Sequence, residues 1–342
     1  MQALFFTGNS EDPLEWREAP YPELLEPGDA IVQPLAVAAC DLDRSIVNGR
    51  SPFPGSFAMG HEFTGRVEAV GSAVGNLAVG DVVLASFQPS CGTCQTCNRN
   101  ASSVCEAVPN GTMYGIGETG GDWGGAIADA IRIPWAASNL IKVPDSLDPV
   151  HIASASDNLA DGLRGVDEPL QSFKGGSVLI AGAGSIPLYA LLCARFLGAG
   201  KTVVASSDQF VLQVAETLGA DCLQVDRWPK RFDQFDITVD CTNSLDGMGA
   251  VVRSTAPHGI CTSSSIFFQG DVAVPMFHMN MKGISFHTGR VNSASSLNRV
   301  VTLLEDGLDP EQIDPAYYRF EDAIDGLLEE PLSRKVIVHR GG

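Results

Sequence analysis

The chain has 342 residues, of which 22 are basic and 41 acidic, so its formal charge is −19, and 44% of its residues are hydrophobic. This is the composition of a globular protein with room for about two domains, and it excludes a disordered or fibrous chain. A strongly acidic surface repels phosphate backbones and anionic lipids, so nucleic-acid and membrane-surface partners are not expected.

The first half of the chain predicts a mostly β domain, because short apolar runs alternate there with Gly and Pro. The predicted strands are ALFF, AIVQPLAVAAC, GRVEAV, DVVLASF and AIRIP.

The second half predicts a parallel sheet, because apolar strands alternate with helices from about residue 150 onward. The strand SVLIAGAG (177–184) precedes the helix SIPLYALLCARFLGAG, and the strand KTVVASS precedes the helix QFVLQVAETLGAD. FDITVDC, GICTSSS and GISFHTGR are further predicted strands. Two helices, SASSLNRVVTLLEDG and FEDAIDGLLEEP, and a last strand, RKVIVH, close the chain. The predicted fold class is therefore α/β with a doubly wound sheet.

A cluster of four cysteines in the first half predicts a structural zinc site. Its spacing is C-x2-C-x2-C-x7-C, formed by Cys91, Cys94, Cys97 and Cys105. Four thiolates so close in sequence suit one tetrahedral zinc, which stabilises a lobe but has no open position for catalysis. Four free thiols and an iron–sulfur cluster are the alternatives.

A second constellation combines Cys40, at the end of a predicted strand, with His61 and Glu62 about 20 residues later. The run around the histidine is G-H-E-x2-G-x5-G-x2-V and extends through Gly71 and Val74. A lone histidine is more often structural than a metal ligand, but together with the four cysteines and the nucleotide-type second half this constellation is far more specific.

These motifs resemble those of the zinc-dependent medium-chain alcohol/polyol dehydrogenases, over nearly the whole chain. The resemblance implies a GroES-like catalytic domain, residues 1–155 and 288–342, and a Rossmann domain, residues 156–287. It implies an NAD(P)-linked oxidoreductase with two zinc ions per chain, acting on an alcohol, a polyol or the matching aldehyde or ketone. It also implies a homodimer or homotetramer, since late Rossmann strands commonly pair between subunits and GICTSSSIFFQGDVAVPMF is suitably apolar.

The resemblance also implies which residues hold the catalytic zinc. Cys40 and His61 match two ligands, and Glu62 matches a residue that lies beside the metal or ligates it. The third ligand comes from the segment that joins the domains, where the aligned residue is Asp157; a helix N-cap is the alternative role for this residue. Asp43 keeps an acidic position that usually supports the ligands.

One departure from the family pattern concerns the proton that leaves the alcohol. The family usually has Ser or Thr two residues after the cysteine, but this chain has Leu42, which cannot relay a proton. Glu62 and Asp161 are the candidate bases, Asp161 because its aligned position lies near the nicotinamide. The alternatives are a biosynthetic reductase of C=C or C=N bonds, a non-redox reaction, and a non-catalytic zinc- and nucleotide-binding protein.

The predicted phosphate loop has the sequence GAGSIP, with Pro187 in the position of the third glycine of G-x-G-x-x-G. Its first two glycines allow a tight turn and close approach of a pyrophosphate, which the backbone amides of a helix N-terminus can hold. The predicted cofactor contacts in this loop are Gly182, Gly184, Ser185 and Ile186.

The predicted adenosine contacts follow the next strand, where Ser206, Ser207 and Asp208 lie 24 to 26 residues after Gly182. A hydroxyl in place of a carboxylate does not repel a 2′-phosphate, which favours NADP, whereas Asp208 acting as a displaced acid would favour NAD. Arg290, at the end of a late strand, is a candidate contact for phosphate or an anionic substrate, with a surface salt bridge as the alternative.

The start and the hydropathy of the chain predict a cytoplasmic protein. No window approaches the roughly 20 apolar residues of a membrane span. The opening MQALFFTGNSEDPLEW lacks the basic start and long apolar run of a signal peptide.

Overall fold

A computed structural model describes residues 1–9, 11–50, 52–268 and 270–341. It divides into two compact units, one formed by Met1–Ala160, Val291–Gly307 and Pro315–Gly342, the other by Asp161–Arg290 and Leu308–Asp314. The sequence interpretation placed the two domain boundaries at 155/156 and 287/288, a few residues before these divisions, and kept 308–314 with the first domain.

The first unit is built mainly from strands. In chain order these are β1 (Gln2–Phe6), β2 (Leu14–Glu18), β3 (Ala30–Ala39), β4 (Phe57–Ala58), β5 (Glu62–Val70), β6 (Val82–Ala85), β7 (Ile131–Ile133) and β8 (Leu140–Lys142). Its short helices are α1 (Asp41–Ser45) and α2 (Ala136–Asn139). The chain passes into the second unit within α3 (Asn158–Arg164).

The second unit alternates strands and helices, as expected. Its elements are α4 (Asp167–Ser172), β9 (Val178–Gly182), α5 (Ser185–Phe196), β10 (Thr202–Ser206), α6 (Gln209–Thr217), β11 (Asp221–Gln224), β12 (Phe235–Cys241), α7 (Leu245–Ser254), β13 (Thr255–Ser263), α8 (Met276–Lys282) and β14 (Ser285–Thr288). All strands pair in parallel, in the order β11-β10-β9-β12-β13-β14. This is the strand order of a doubly wound dinucleotide-binding sheet, and the predicted α/β fold is confirmed.

The last part of the chain returns to the first unit. It contains α9 (Ser293–Glu305), β15 (Ala316–Arg319), α10 (Ala323–Glu329) and β16 (Val336–His339). These strands complete a sheet of order β15-β16-β3-β5-β6-β8, with β7 also paired to β3, while β2-β1-β4 form a second small sheet. The long strand β3 is almost entirely buried, because β5 and β16 pair with it on both sides.

The start of α5 shows how a proline can replace the third glycine of the phosphate loop. Pro187 is the third residue of α5, where the backbone N–H has no acceptor within the helix, so the missing donor costs little. Gly182, with φ of 141°, cannot be replaced in this way, since a Cβ there would collide with the carbonyl of Cys241 on β12. In the part of the chain that the structure describes, no helix is long and apolar enough to span a bilayer.

Candidate metal and cofactor sites

Cys40 is held by the first turn of α1, for which it is the N-cap. Its backbone N–H donates to Asp43 Oδ2 over 2.9 Å, and the N–H of Leu42 donates to its Sγ over 3.5 Å. Leu42 therefore supports the sulfur through its backbone, while its side chain carries no group that can exchange a proton.

The structure brings Cys40, His61 and Asp157 together. One ligand atom from each lies within 4.8 Å of the others, and His61 Nε2 is 3.3 Å from Asp157 Oδ2. Cys40 follows β3, His61 precedes β5, and Asp157 directly precedes α3, which is also a cap position. Cysteine sulfur, imidazole nitrogen and carboxylate oxygen are all ligands that zinc takes, and a zinc with three protein ligands keeps a fourth position open.

The electrostatics of this cluster fit a divalent cation. Burial alone would lower the pKa of His61, but Asp43, whose Oδ1 is 3.5 Å from Nδ1, and Asp157 raise that pKa to about 9. Burial and the nearby Asp157 raise the pKa of the Cys40 thiol well above its ordinary value. A metal dication would compensate these buried negative charges and favour the thiolate, and Asp43 lies where it can orient the imidazole.

Glu62 lies outside this group of ligand atoms, although it follows His61 directly. It is fully buried, its Oε1 accepts the N–H of Asn158 over 2.6 Å, and its Oε2 pairs with Lys335 Nζ. Both oxygens of this carboxylate therefore have partners within the protein. The geometry therefore gives Glu62 a supporting position, and not the ligand position considered from the sequence.

Lys335 is a site residue that sequence reasoning missed. It precedes β16, its side chain is fully buried, and its Nζ also donates to Asn158 Oδ1 over 2.5 Å. The only signal was a charged residue entering a strongly apolar strand, RKVIVH, which by itself is common.

The four cysteines of the first half also converge. The Sγ atoms of Cys91, Cys94, Cys97 and Cys105 all lie within 4.8 Å of one another. Backbone N–H groups point at these sulfurs, among them that of Cys91 toward Cys105 at 3.2 Å and that of Cys94 toward Cys91 at 3.3 Å. A hydrogen bond with Thr96 and backbone amides lower the pKa of Cys94 to about 5. The donors and their surroundings fit a closed four-thiolate metal site.

The phosphate loop lies at the carboxyl end of β9, between β10 and β12. Gly182 and Gly184 both have positive φ, and Gly184 caps α5, which begins at the buried Ser185 and the half-buried Ile186. This is the geometry in which a glycine turn and a helix N-terminus face a pyrophosphate.

Ser206, Ser207 and Asp208, at the end of β10, have different surroundings. Ser206 is buried and its Oγ accepts the N–H of Asp208, whereas Ser207 is exposed. Asp208 caps α6, where its Oδ1 accepts the N–H groups of Phe210 and Val211 over 2.9 and 3.2 Å.

Asp161 and Arg164 form an ion pair within the second unit, on the last turn of α3. Arg164, which the sequence reasoning did not consider, also reaches the carboxyl end of β13 through Nη2, 3.3 Å from both Ser263 O and Ser264 Oγ. The candidate base Asp161 is thus engaged by the guanidinium of Arg164. Arg290, the candidate contact for phosphate or an anionic substrate, is half-buried and follows β14 by two residues.

Comparisons with known proteins agree with this architecture. Residues 26–145 match the alcohol dehydrogenase GroES-like domain. The alcohol dehydrogenase from Thermus sp. ATN1 superposes with a TM-score of 0.89 at 28% identity, covering 100% of both chains.

Two curated relatives are dehydrogenases. The glutathione-independent formaldehyde dehydrogenase of Pseudomonas aeruginosa is 29% identical over 72% of this chain and 65% of its own length. The L-threonine 3-dehydrogenase of Bacillus subtilis is 30% identical over 60% of this chain and 56% of its own length. The chain thus spans less than two thirds of the length of these two relatives.

A GroES-like unit with two clusters of candidate metal-binding side chains and a Rossmann unit with a glycine turn are the features expected of zinc-type dehydrogenases. The comparisons support the family predicted from the sequence, the zinc-dependent medium-chain alcohol/polyol dehydrogenases, and the predicted fold is confirmed.

Proposed function

We propose that the protein is a zinc-dependent, NAD(P)-linked oxidoreductase that transfers a hydride between an alcohol or polyol, or the matching aldehyde or ketone, and nicotinamide. The observation that carries the proposal is the convergence of Cys40, His61 and Asp157, in a chain whose second unit has the dinucleotide-binding strand order.

The catalytic zinc would be held by Cys40, His61 and Asp157 and would supply Lewis-acid polarisation of the substrate oxygen. Asp43 orients His61, and the pair of Glu62 and Lys335 supports the segments that carry His61 and Asp157. A second zinc, held by Cys91, Cys94, Cys97 and Cys105, would stabilise the cysteine lobe.

The proton pathway supports a second candidate function. Leu42 offers no relay, and both candidate bases are paired, Glu62 with Lys335 and Asp161 with Arg164. A non-redox reaction on the same fold has no alcohol proton to remove, so it would fit these pairings. A reductase of C=C or C=N bonds would also avoid an alcohol proton, but it adds a proton together with the hydride and would take that proton from another donor, such as solvent.

For the cofactor we infer a preference for NADP. The Oδ1 atom of Asp208 accepts two amides of α6, and Ser207 is the exposed residue at the end of β10. The exposed Arg227 follows β11, whose Gln224 is in register with Ser206, so a cation lies on the side where a 2′-phosphate would be bound.

For the assembly we infer a homodimer or homotetramer built through β14. This strand is an edge of the six-stranded sheet, and the preceding helix α8 exposes Met276, Phe277 and Met281 by 61%, 73% and 67%. An open strand edge beside exposed apolar side chains suits pairing with a second copy. The other expected partner is the small-molecule alcohol or carbonyl substrate.

The test combines metal analysis with a substrate panel. Purified protein should contain two zinc ions per chain and should change the absorbance of nicotinamide in stoichiometric proportion to alcohol or aldehyde turned over, with a lower KM for NADP(H) than for NAD(H). Two zinc ions without turnover of any alcohol or carbonyl would favour the second candidate. One zinc ion would contradict the Cys40 site, and a lower KM for NAD(H) would overturn the NADP preference.

A further inference from the structure

The second unit allows the two halves of a dinucleotide to be assigned to its strands, and the inference below rests on the proposed function. The phosphate loop follows β9, and the predicted ribose contacts follow β10. Because a dinucleotide crosses the carboxyl ends of such a sheet at the point where the strand order reverses, its nicotinamide half would lie over β12 and β13.

Arg164 lies at the carboxyl end of β13, on the side of the sheet that would hold the nicotinamide half. Its Nη2 is 3.3 Å from the carbonyl oxygen of Ser263, the last residue of β13, and equally far from Ser264 Oγ. Its position is set by close packing of α3 on α5, since a Cβ on Gly162 would lie 2.6 Å from the amide nitrogen of Ala190. The guanidinium is therefore held in place relative to α5, the helix that begins at the phosphate loop.

The bonding of Arg164 leaves donors available. Nε is paired with Asp161 and Nη2 with the end of β13, whereas Nη1 has no hydrogen-bond partner within the described ranges. The Arg164 side chain is 23% exposed, so part of it is open to a ligand. An arginine has five N–H donors and no acceptor, so its Nη1 can donate a hydrogen bond to an oxygen of a ligand.

The charge of the pair indicates which oxygen. Asp161 compensates the guanidinium, so the pair as a whole attracts an anion weakly but still presents strong N–H donors. A neutral carbonyl oxygen suits such a site better than a carboxylate or phosphate. Compensation by Asp161 also lets the site accept the oxidised nicotinamide ring, which carries a positive charge.

We infer that Arg164 binds the carboxamide oxygen of the nicotinamide through Nη1, and that Asp161 is the positioning residue that orients and neutralises it. Asp161 then acts through Arg164 and not as the base that removes the substrate proton.

The test measures binding to the full-length protein with two ligands that differ only in the nicotinamide. Arg164→Met, which keeps the chain length but has no donor, should weaken NAD(P)H binding roughly 10- to 100-fold, the usual loss for a hydrogen bond to a charged group. ADP-ribose or its 2′-phosphate, which lacks the nicotinamide, should bind as to the wild type. The matched control is Arg195→Met, since Arg195 also donates to a backbone carbonyl, that of Gly219, but on the far end of α5.

Two further measurements separate binding from a merely structural role. The 3-acetylpyridine dinucleotide keeps the carbonyl oxygen and lacks the amide nitrogen, so it should show the same loss with Arg164→Met. Asp161→Asn should weaken NAD(P)⁺ more than NAD(P)H, because it leaves the guanidinium uncompensated beside a cationic ring. Arg164→Lys, a milder change, should weaken NAD(P)H binding less than Arg164→Met does. It replaces Arg164→Met in the test if that variant does not fold.

The outcomes are distinguishable from failure of the proposed function. If the wild type binds neither NAD(P)H nor ADP-ribose, the proposed function fails. If the wild type binds both and Arg164→Met leaves both unchanged, or weakens both equally, the inference is wrong. If only the KM of an anionic substrate rises, Arg164 is a substrate contact, and the inference is overturned as well.

Discussion

Lys335 is buried in the first unit together with Glu62 and Asn158, both of which accept hydrogen bonds from its ammonium group. An ammonium group removed from water needs a charge and hydrogen bonds in return, and these two residues supply both. The network spans 273 residues of sequence between Glu62 and Lys335, so it ties the end of the chain to the histidine motif.

Removing the cation from this network should destabilise the protein. Lys335→Met leaves the Glu62 carboxylate buried beside an apolar chain, which is expected to cost about 3–5 kcal/mol of unfolding free energy. Adding Glu62→Gln should recover part of the loss, because no uncompensated charge remains. Chemical denaturation checks both values.

The control for Lys335→Met is Lys142→Met. Lys142 pairs with Asp81 on the surface with 54% of its side chain exposed, so its loss is expected to cost less than about 1 kcal/mol. Equal effects at the two lysines would contradict the assigned role of Lys335.

Leu42 is the residue where the chain departs from the proton pathway that the family resemblance implies. Leu42→Ser should leave alcohol oxidation intact or raise its kcat, by up to about 100-fold, the lower bound of a positioned proton transfer. Leu42→Ala, which removes the same apolar bulk without adding a hydroxyl, is the control in steady-state kinetics. Loss of activity in both variants with the fold intact would mean that Leu42 shapes the substrate site.

At the scale of elements, the cysteine lobe has little regular structure to hold it. Between Cys91 and Cys105 the chain forms only the two 3₁₀ turns Cys97–Arg99 and Ser102–Val104, and its buried cluster consists mainly of the cysteines themselves. A loop with so small a core needs a metal to order it.

Loss of one thiolate should therefore release the structural metal. Cys94→Ser is expected to lower the zinc content from two to one per chain and to expose residues 91–105 to proteolysis, as elemental analysis and limited digestion would measure. Cys222→Ser, at the exposed cysteine outside both clusters, should retain both metals. An unchanged zinc content in Cys94→Ser would exclude the four-thiolate site.

The element predictions succeeded where apolar periodicity was strong. SVLIAGAG became β9, SIPLYALLCARFLGAG became α5 and RKVIVH became β16. The strand β11 was missed because all four of its residues are exposed and its sequence, DCLQ, has no apolar pattern. The helix α8 was missed because it buries none of its residues, and a helix without a buried face does not show the periodic spacing of apolar residues that predicts a helix.

At the scale of the whole molecule, the proposed assembly depends on the edge strand β14 and on the exposed apolar side chains of α8. If the protein is an oligomer built through this face, Phe277→Asp, which places a charge on a side chain that is 73% exposed, should convert it to a monomer, as light scattering would show. Leu25→Asp is the control, because Leu25 is comparably exposed, at 65%, in the first unit. An unchanged mass for Phe277→Asp would place the interface elsewhere.

The acidic charge of −19 does not conflict with a dinucleotide cofactor. Gly182 and Gly184 adopt positive φ, and α5 starts beside them, so amides and not cations face a pyrophosphate there. The charge excess is a property of the surface and carries no information about this loop.

The sequence by itself predicted the fold class, the family resemblance and the two groups of candidate metal-binding side chains, because these depend on short-range patterns: residue spacing, apolar periodicity and a glycine turn. Only the tertiary structure decided that Glu62 pairs with Lys335, that Asp161 pairs with Arg164, and that Asp208 caps α6. The first pair joins residues far apart in the chain. The other two contacts are between residues close in sequence. Such neighbours also occur on solvent-exposed helices without forming a contact, so the sequence alone did not predict these pairs. Which partner a carboxylate takes depends on what burial leaves within reach, and that is settled only when the strands and helices have packed.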